Sequence, residues 1–344
     1  MRQLTLPSSG RAAGVTAVAC LSAAALALSG CTSAGSGDGG GDRKARAEAT
    51  AEATGEPVLT TDAAQQVVDH YVDVNNRANA RQDAELLGTV EAGPVHERST
   101  AEYRQFATRS PKEKDEYAGA FRYEDLTFHI PSGGDWFAAT ARVADDGQRR
   151  ILVFEKSGGG AGGKDTWKMT GVVHLDEKVP EIASGSRGAA ATAEPDAASG
   201  SLTPRQVTAA VADLYATGGK KTGGKLARTK SVQRALKIHR ERDRALGKLG
   251  VRKTFVPARP EPPRVHALRT SDGGTLPVVP LAHTVRTTAT RPGRSVTPSS
   301  REAVYDPDPR RTVTDTHVGQ AAAYLPPTGR PRVLGTDYAM TDSR

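Results

Sequence analysis

Residues 1–56 of this 344-residue chain offer little to a folded core, and that confines the fold to the residues after them. Arg2 and Arg11 precede an alanine-rich run from Ala12 to Leu28 (AAGVTAVACLSAAALAL), which closes on Leu28-Ser29-Gly30-Cys31. A positive start, a short apolar segment and then small residues read as an export signal. A membrane-spanning helix takes about 20 apolar residues, and this run is shorter and built from weakly apolar Ala and Gly. Residues 32–56 (TSAGSGDGGGDRKARAEATAEATGE) carry almost no large apolar side chain and are expected to form a flexible tether. Folding is expected from Pro57 onward, which leaves enough chain for two ordinary domains.

The tetrad Leu-Ser-Gly-Cys looks like a bacterial lipobox. A thiol suits that role because its sulfur can take a diacylglyceryl group through a thioether, and small residues at Ser29 and Gly30 give a signal peptidase access. The alternatives are an ordinary secretory signal and an uncleaved anchor; the four-residue match and its position favour lipid attachment at Cys31. Two acyl chains hold a protein at a membrane far more firmly than one. The expected location is the outer face of the cell membrane, reached by export. The chain has 2 cysteines. Cys20 is removed with the signal and Cys31 is acylated, so neither a disulfide nor a Cys-based metal site or nucleophile is expected.

Formal net charge is +8, and it is unevenly placed. Residues 56–183 hold 15 Lys and Arg against 22 Asp and Glu; residues 200–344 hold 26 against 11. An acidic half joined to a basic half suggests two domains with different electrostatic partners.

Thr61 or Asp62 can cap a helix in which Val67, Val68, Tyr71 and Val74 fall on one face. Helix continues around Ala84–Leu87 and Glu102–Ala107. From Phe121 the period changes to that of strands, expected at 121–130, 136–143, 151–155 and 167–175, with turns at Asp145-Asp146-Gly147 and in the Gly-rich 158–163. Helices followed by a four-stranded meander make an α+β unit, helices packed on one face of an antiparallel sheet. Residues 184–201 (SGSRGAAATAEPDAASGS) have the composition of a linker. Leu202-Thr203-Pro204, then Val207, Val211, Leu214 and Tyr215, restate the opening of the first unit, a weak internal repeat. A basic helix over about 230–249 comes next, then strands near 265–268, 275–289, 312–318 and 332–334, with an irregular surface loop around 292–309.

The order LTTDAAQQVVDHYVDVNNRA, further helix and a twisted meander resembles the NTF2-like (cystatin-related, SnoaL-like) superfamily of cone-shaped α+β domains. The resemblance covers 59–183 well and 202–338 poorly. The whole chain is similar to actinobacterial lipoproteins with two such domains at 57–183 and 202–340, the second basic and a possible degenerate repeat. That superfamily holds enzymes, carriers and structural modules alike, so the fold does not assign a function.

Ketosteroid isomerases of that superfamily use an Asp base with Tyr and Asp donors inside the cone. Tyr71, Asp83, Tyr103, Asp125 and His174 are the residues available here, and none matches a family motif; Tyr71 falls on the apolar helix face and reads as core. The 8 histidines show no paired-ligand spacing, and no nucleophile elbow or Walker loop is present. No cofactor, metal or catalytic residue is assigned. The feature above background is 220–253 (KKTGGKLARTKSVQRALKIHRERDRALGKLGVRK), with Leu226, Val232, Leu236 and Leu246 as an apolar stripe. Lys230, Arg234, Lys237, Arg240, Arg244 and Lys248 are candidate contacts to anionic lipid or an anionic wall polymer, in a salt-sensitive manner. The bland alternative is a solvated helix whose charges keep the protein soluble. Nucleic acid is not an expected partner of an exported, tethered protein. The reading is a membrane-anchored, non-catalytic binding or interaction module; the alternative is a small-ligand carrier or enzyme using the cone. A cavity with an inward polar pair points to the second, a cone filled by aromatic side chains to the first.

Overall fold

The computed structural model describes residues 55–145, 147–158, 166–247 and 249–344, with only the backbone at 243–246. Cys31, most of the tether, Lys248 and the side chains of Arg244 and Leu246 therefore lie outside the described residues, as does most of the Gly-rich turn. Helix α1 (Thr61–Arg81) starts at Thr60, whose side chain accepts from the Ala63 N–H, and ends where Gln82 turns left-handed. Its buried Ala64, Val68, Tyr71, Val74 and Ala78 recur every three or four residues; Val68, Tyr71 and Val74 belong to the stripe read from the sequence, while Val67 is half-buried. Helix α2 (Ala84–Leu87) is capped by Asp83, and α3 (Gly93–Arg104) has Pro94 in its first turn. Helix α4 (Pro111–Ala118), not foreseen, opens on a reciprocal Ser110–Glu113 capping box, a signal present in the sequence as Ser-Pro-Lys-Glu.

Strands β1 (Tyr123–His129), β2 (Trp136–Val143), β3 (Arg149–Ser157) and β4 (Thr166–His174) form an antiparallel meander in sequence order. In the second half α5 (Gln206–Thr217) stops at Gly218, left-handed at φ +78, and α6 (Lys230–Gly247) comes after it. Strand β5 (Val251–Ala258) was missed because its Arg252 and Lys253 continue the charge of α6; β6 (His266–Arg269), β7 (Thr275–Ala289), β8 (Thr312–Tyr324) and β9 (Arg332–Ser343) complete the half. The second sheet runs β5-β7-β8-β9, with β6 also paired to β7. The fold is thus α+β with two antiparallel sheets, helices preceding strands in each half.

Three apolar clusters set the layers. One, with Tyr71, Leu87, Phe137, Leu152, Phe154 and Met169, lies between the first helices and the first sheet. A second, with Val211, Leu214, Leu226, Val232, Leu236, Leu281 and Ala321, lies between α5, α6 and the second sheet. The third joins Trp136, Ala138, Ile151 and Val153 of the first sheet to Leu276, Val278 and Ala322 of the second. The two sheets thus face each other with helices packed on each, and α3 also reaches across to β8 and β9 of the second sheet. Strand β2 is buried without alternation from Trp136 to Ala139 because both faces of its sheet are covered.

Residues 184–201 do not behave as the spacer their composition suggests. Ala189, Ala190 and Ala191 are buried, and the Ala190 and Ala193 N–H groups donate to the carbonyls of Ile130 in one half and Ala267 in the other. Runs of Ala and Gly are read as flexible in isolation; here their small size fits backbone into a narrow gap between packed layers. Among the described residues no helix is long and apolar enough to cross a membrane.

Candidate functional site

The charge asymmetry is partly used up inside the molecule. Arg264 of the basic half donates to Asp135 and, at 2.8 Å, to Glu155 Oε2 of the acidic half; Arg332 pairs with Glu177, and Arg234 lies 3.0 Å from Asp176 Oδ1. His174 of β4 faces Asp337 of β9 at 2.9 Å, and His266 Nε2 lies 2.9 Å from Glu155 Oε1. The Arg264 fork holds the Asp135 carboxyl below the usual carboxylate range. Opposite charges on the two halves thus meet at the seam between them.

Of the six cations singled out on and just after α6, four have described side chains. Lys230, Arg234, Lys237 and Arg240 are all exposed, while Val232, Ala235 and Leu236 turn inward. Arg234 is held by Asp176, so it serves the seam. Lys230, Lys237 and Arg240 make no ion pair among the described residues, and Glu241 stands exposed beside them. Two large apolar side chains of this segment are exposed: Ile238 on α6 at 51%, and Leu249 just past its end at 46%. Arg242 points the other way and donates to the carbonyls of Tyr215 (3.2 Å) and Ala216 (3.3 Å), where α5 ends. That placement satisfies orphan carbonyls and puts a cation at the negative end of a helix.

A second cationic surface, not foreseen, lies across the second sheet on the face away from α5 and α6. There β7 and β8 run past the part of the sheet covered by the first half. Arg252, Arg286 and Arg344 line a shallow groove of about 430 Å³ together with Thr254, Thr288, Thr312 and Thr314. The register sets Arg252 opposite Thr288, and Arg286 opposite both Thr254 and Thr314. Its sequence signal is the i, i+2 alternation Arg252-x-Thr254, Arg286-x-Thr288 and Thr312-x-Thr314, which places each pair on one face of a strand.

The residues weighed for catalysis are scattered. Asp83 caps α2, Asp125 accepts from Arg142 Nε at 2.8 Å on the surface, and His174 belongs to the seam. Tyr71 and Tyr103 do meet, in a buried chain that the sequence did not show. The Tyr71 hydroxyl donates to Glu91 Oε1 (3.0 Å); Asn75 Nδ2 donates to both; Asn79 Nδ2 donates to Asn75 Oδ1 (2.7 Å), and the Tyr103 hydroxyl to Asn79 Oδ1 (2.7 Å). Burial pushes the Glu91 carboxyl up to about 7, against the lowering effect of the Ser99 and Tyr71 hydroxyls. Aromatic rings pack beside this chain. Phe137 stacks on Phe154 with ring centres 5.0 Å apart, and Tyr71 and Trp167 meet them edge-on. Among the described residues no group of His, Cys, Asp and Glu is arranged to hold a metal ion.

A family model described as a domain of unknown function (DUF8094) matches residues 55–344. The chain belongs to the DUF8094 family. That DUF8094 match runs through both sheets and the 184–201 strap. The chain is also 31% identical to "Uncharacterized lipoprotein SCO6871" of Streptomyces coelicolor over 300 residues, 83% of this chain and 82% of the relative. The relative's name agrees with the lipoprotein reading of the N-terminal segment. No solved structure matches the chain.

Proposed function

We propose that this DUF8094 protein is exported, lipid-anchored at Cys31, and acts as a non-catalytic interaction module that lays α6 against the anionic surface of the membrane holding it. The observation that carries this reading is the pairing of unbridged Lys230, Lys237 and Arg240 with exposed Ile238 and Leu249. Cations beside apolar side chains suit a lipid headgroup region, where each basic residue contributes about 1 kcal/mol. Exposed apolar groups gain little from a hydrated wall polymer, which favours the lipid over that alternative. The tether, residues 32–56, is long enough to span roughly 80 Å at its most extended, so any face of the folded part can reach the membrane. The helices packed on a meander, and the relative's name, support an NTF2-like first half in a lipoprotein. The aromatic packing beside the Tyr71–Glu91 chain weighs against the carrier or enzyme alternative.

The test uses soluble protein starting at Thr32, so that no acyl chain binds membrane by itself. Flotation with phosphatidylglycerol vesicles is expected at low salt, to weaken as salt rises, and to be absent with phosphatidylcholine alone. Reversing K230E, K237E and R240E together is expected to weaken it by roughly a hundredfold, about 3 kcal/mol. Binding to purified wall but not to vesicles, or vesicle binding indifferent to the triple reversal, sinks the proposal.

A further inference from the structure

The groove on the opposite face of the second sheet is a separate matter from α6, since β5, β7 and β8 stand between the two surfaces. Strands β7 and β8 are long, and only one end of their outer face is covered. At that end Val278, Ala322 and Gln320 are buried against the first half. At the other end the same face is bare and carries Arg252, Arg286 and Arg344. An overhanging sheet face needs polar side chains, but solvation alone is met equally well by both signs of charge. Here the charged side chains are of one sign. None of the three arginine side chains forms an ion pair among the described residues, and no acidic side chain lines the groove; the nearest acid in register on this face, Asp342, sits opposite Thr316, beyond it, while Asp315 faces the other side of the sheet.

The register fixes the spacing of these charges. Arg252 and Arg286 are diagonal neighbours across β5 and β7, about 7–8 Å apart at the backbone. Arg286 and the strand-paired Arg344 flank Thr314, two strand spacings or about 10 Å apart. Threonine hydroxyls fill the positions between, and Thr288 Oγ1 lies 3.1 Å from Thr312 Oγ1 on the floor. A guanidinium fork alone satisfies a carboxylate, which presents two oxygens in a plane. Forks alternating with hydroxyls instead offer donors from several directions, which suits tetrahedral oxyanions, and their repetition suits a ligand with several of them.

We propose that this groove binds an extended phosphate-bearing polyanion, with Arg286 as the central contact and Arg252 and Arg344 holding the neighbouring phosphates. The ligand is recognised by repeated phosphate groups, and multivalency makes a chain bind far better than a single ion. Soluble protein starting at Thr32 would be titrated with long-chain inorganic polyphosphate, inorganic phosphate and polyglutamate.

Polyphosphate is expected to bind at low salt, with a log–log salt slope of about −2 to −3 if some three charges are engaged. Inorganic phosphate is expected to bind at least a hundredfold more weakly. R252Q with R286Q is expected to weaken polyphosphate binding by roughly tenfold or more. R286K, which keeps the charge and loses the fork, is expected to weaken it by a smaller factor and guards against loss of the surface as a whole. A helix variant, K230Q with K237Q and R240Q, is expected to leave it within about twofold, so failure here and failure of the membrane reading are told apart. Absence of binding at low salt, equal affinity for polyglutamate, or equal loss in the helix variant overturns the proposal.

Discussion

At the scale of single residues, Glu91 shows how a buried carboxyl writes itself into stability. It is 2% exposed, and its Oε1 accepts from both Tyr71 and Asn75. With its pKa raised from 4.5 to about 7, the native protein keeps a proton between those values that the unfolded chain has lost. Protons bound by the native state alone make stability fall as pH rises through that window. The favourable share is complete below about pH 4.5 and gone above about pH 7. Glu91→Gln retains an oxygen acceptor for both donors and cannot ionise. It is expected to stabilise the protein by about 2–3 kcal/mol at pH 8 and to change little at pH 4.5, read by denaturant melts at the two pH values. Equal stabilisation at both would assign the gain to packing. Burial also lowers His129 and His317 to about 4, and His283, stacked on His317 with ring centres 4.7 Å apart, lower still. Those groups act in the opposite sense, withdrawing stability as pH falls below about 6.5.

At the scale of elements, the edge of β4 is the part of the fold most at risk and the most completely covered. β4 ends the first sheet, so its outer N–H and C=O groups have no strand to pair with. Near its start, Met169 exchanges backbone bonds with Val90 and Ala92. Further along, the Gln320 side chain from β8 substitutes for a strand: its Oε1 accepts from the Val172 N–H (3.0 Å) and its Nε2 donates to the Thr170 carbonyl (2.9 Å). At the end Asp337 accepts from the His174 N–H at 2.8 Å. Gln320→Leu keeps similar volume and strands both backbone groups in a dry seam, so a loss of about 2–5 kcal/mol is expected in chemical denaturation. Gln320→Glu can still accept from Val172 but cannot donate when ionised, and is expected to be less harmful at low pH than at pH 8. None of this was legible beforehand. Gln320 stands in the run Val-Gly-Gln-Ala-Ala-Ala, where periodicity marks a strand but no pattern names the distant edge its amide will meet. The helices and strands themselves were readable because caps, apolar stripes and turn residues act locally. Strand β5 was hidden because the signal it carries, two cations after a cationic helix, belongs to its neighbour.

At the scale of the whole molecule, the sequence divides where the structure joins. Charge and composition mark an acidic half, a small-residue segment and a basic half, and each half buries its own helices against its own sheet. Yet a third core lies between the sheets, ion pairs cross the seam, and the segment between the halves bonds to both. Gly335 shows how close the contact is: a Cβ there would stand 1.8 Å from the His174 carbonyl oxygen of the other half. Burying the outer face of each sheet requires the other, since Trp136, Ile151 and Val153 on one side and Leu276 and Val278 on the other would otherwise face water. The folded part, residues 55–344, is therefore expected to unfold in one transition. Its calorimetric enthalpy should equal the van't Hoff value, at about 200 kcal/mol near 60 °C for a body of this size. Two resolved transitions, or a van't Hoff enthalpy near half the calorimetric one, would show the halves to be independent. Gly335→Ala sharpens the test because it strikes the seam and neither half's own core. In a single cooperative body it lowers the one transition by more than about 3 kcal/mol, as large a cost as deep core truncations carry. In a body of two independent domains it leaves both midpoints almost where they were.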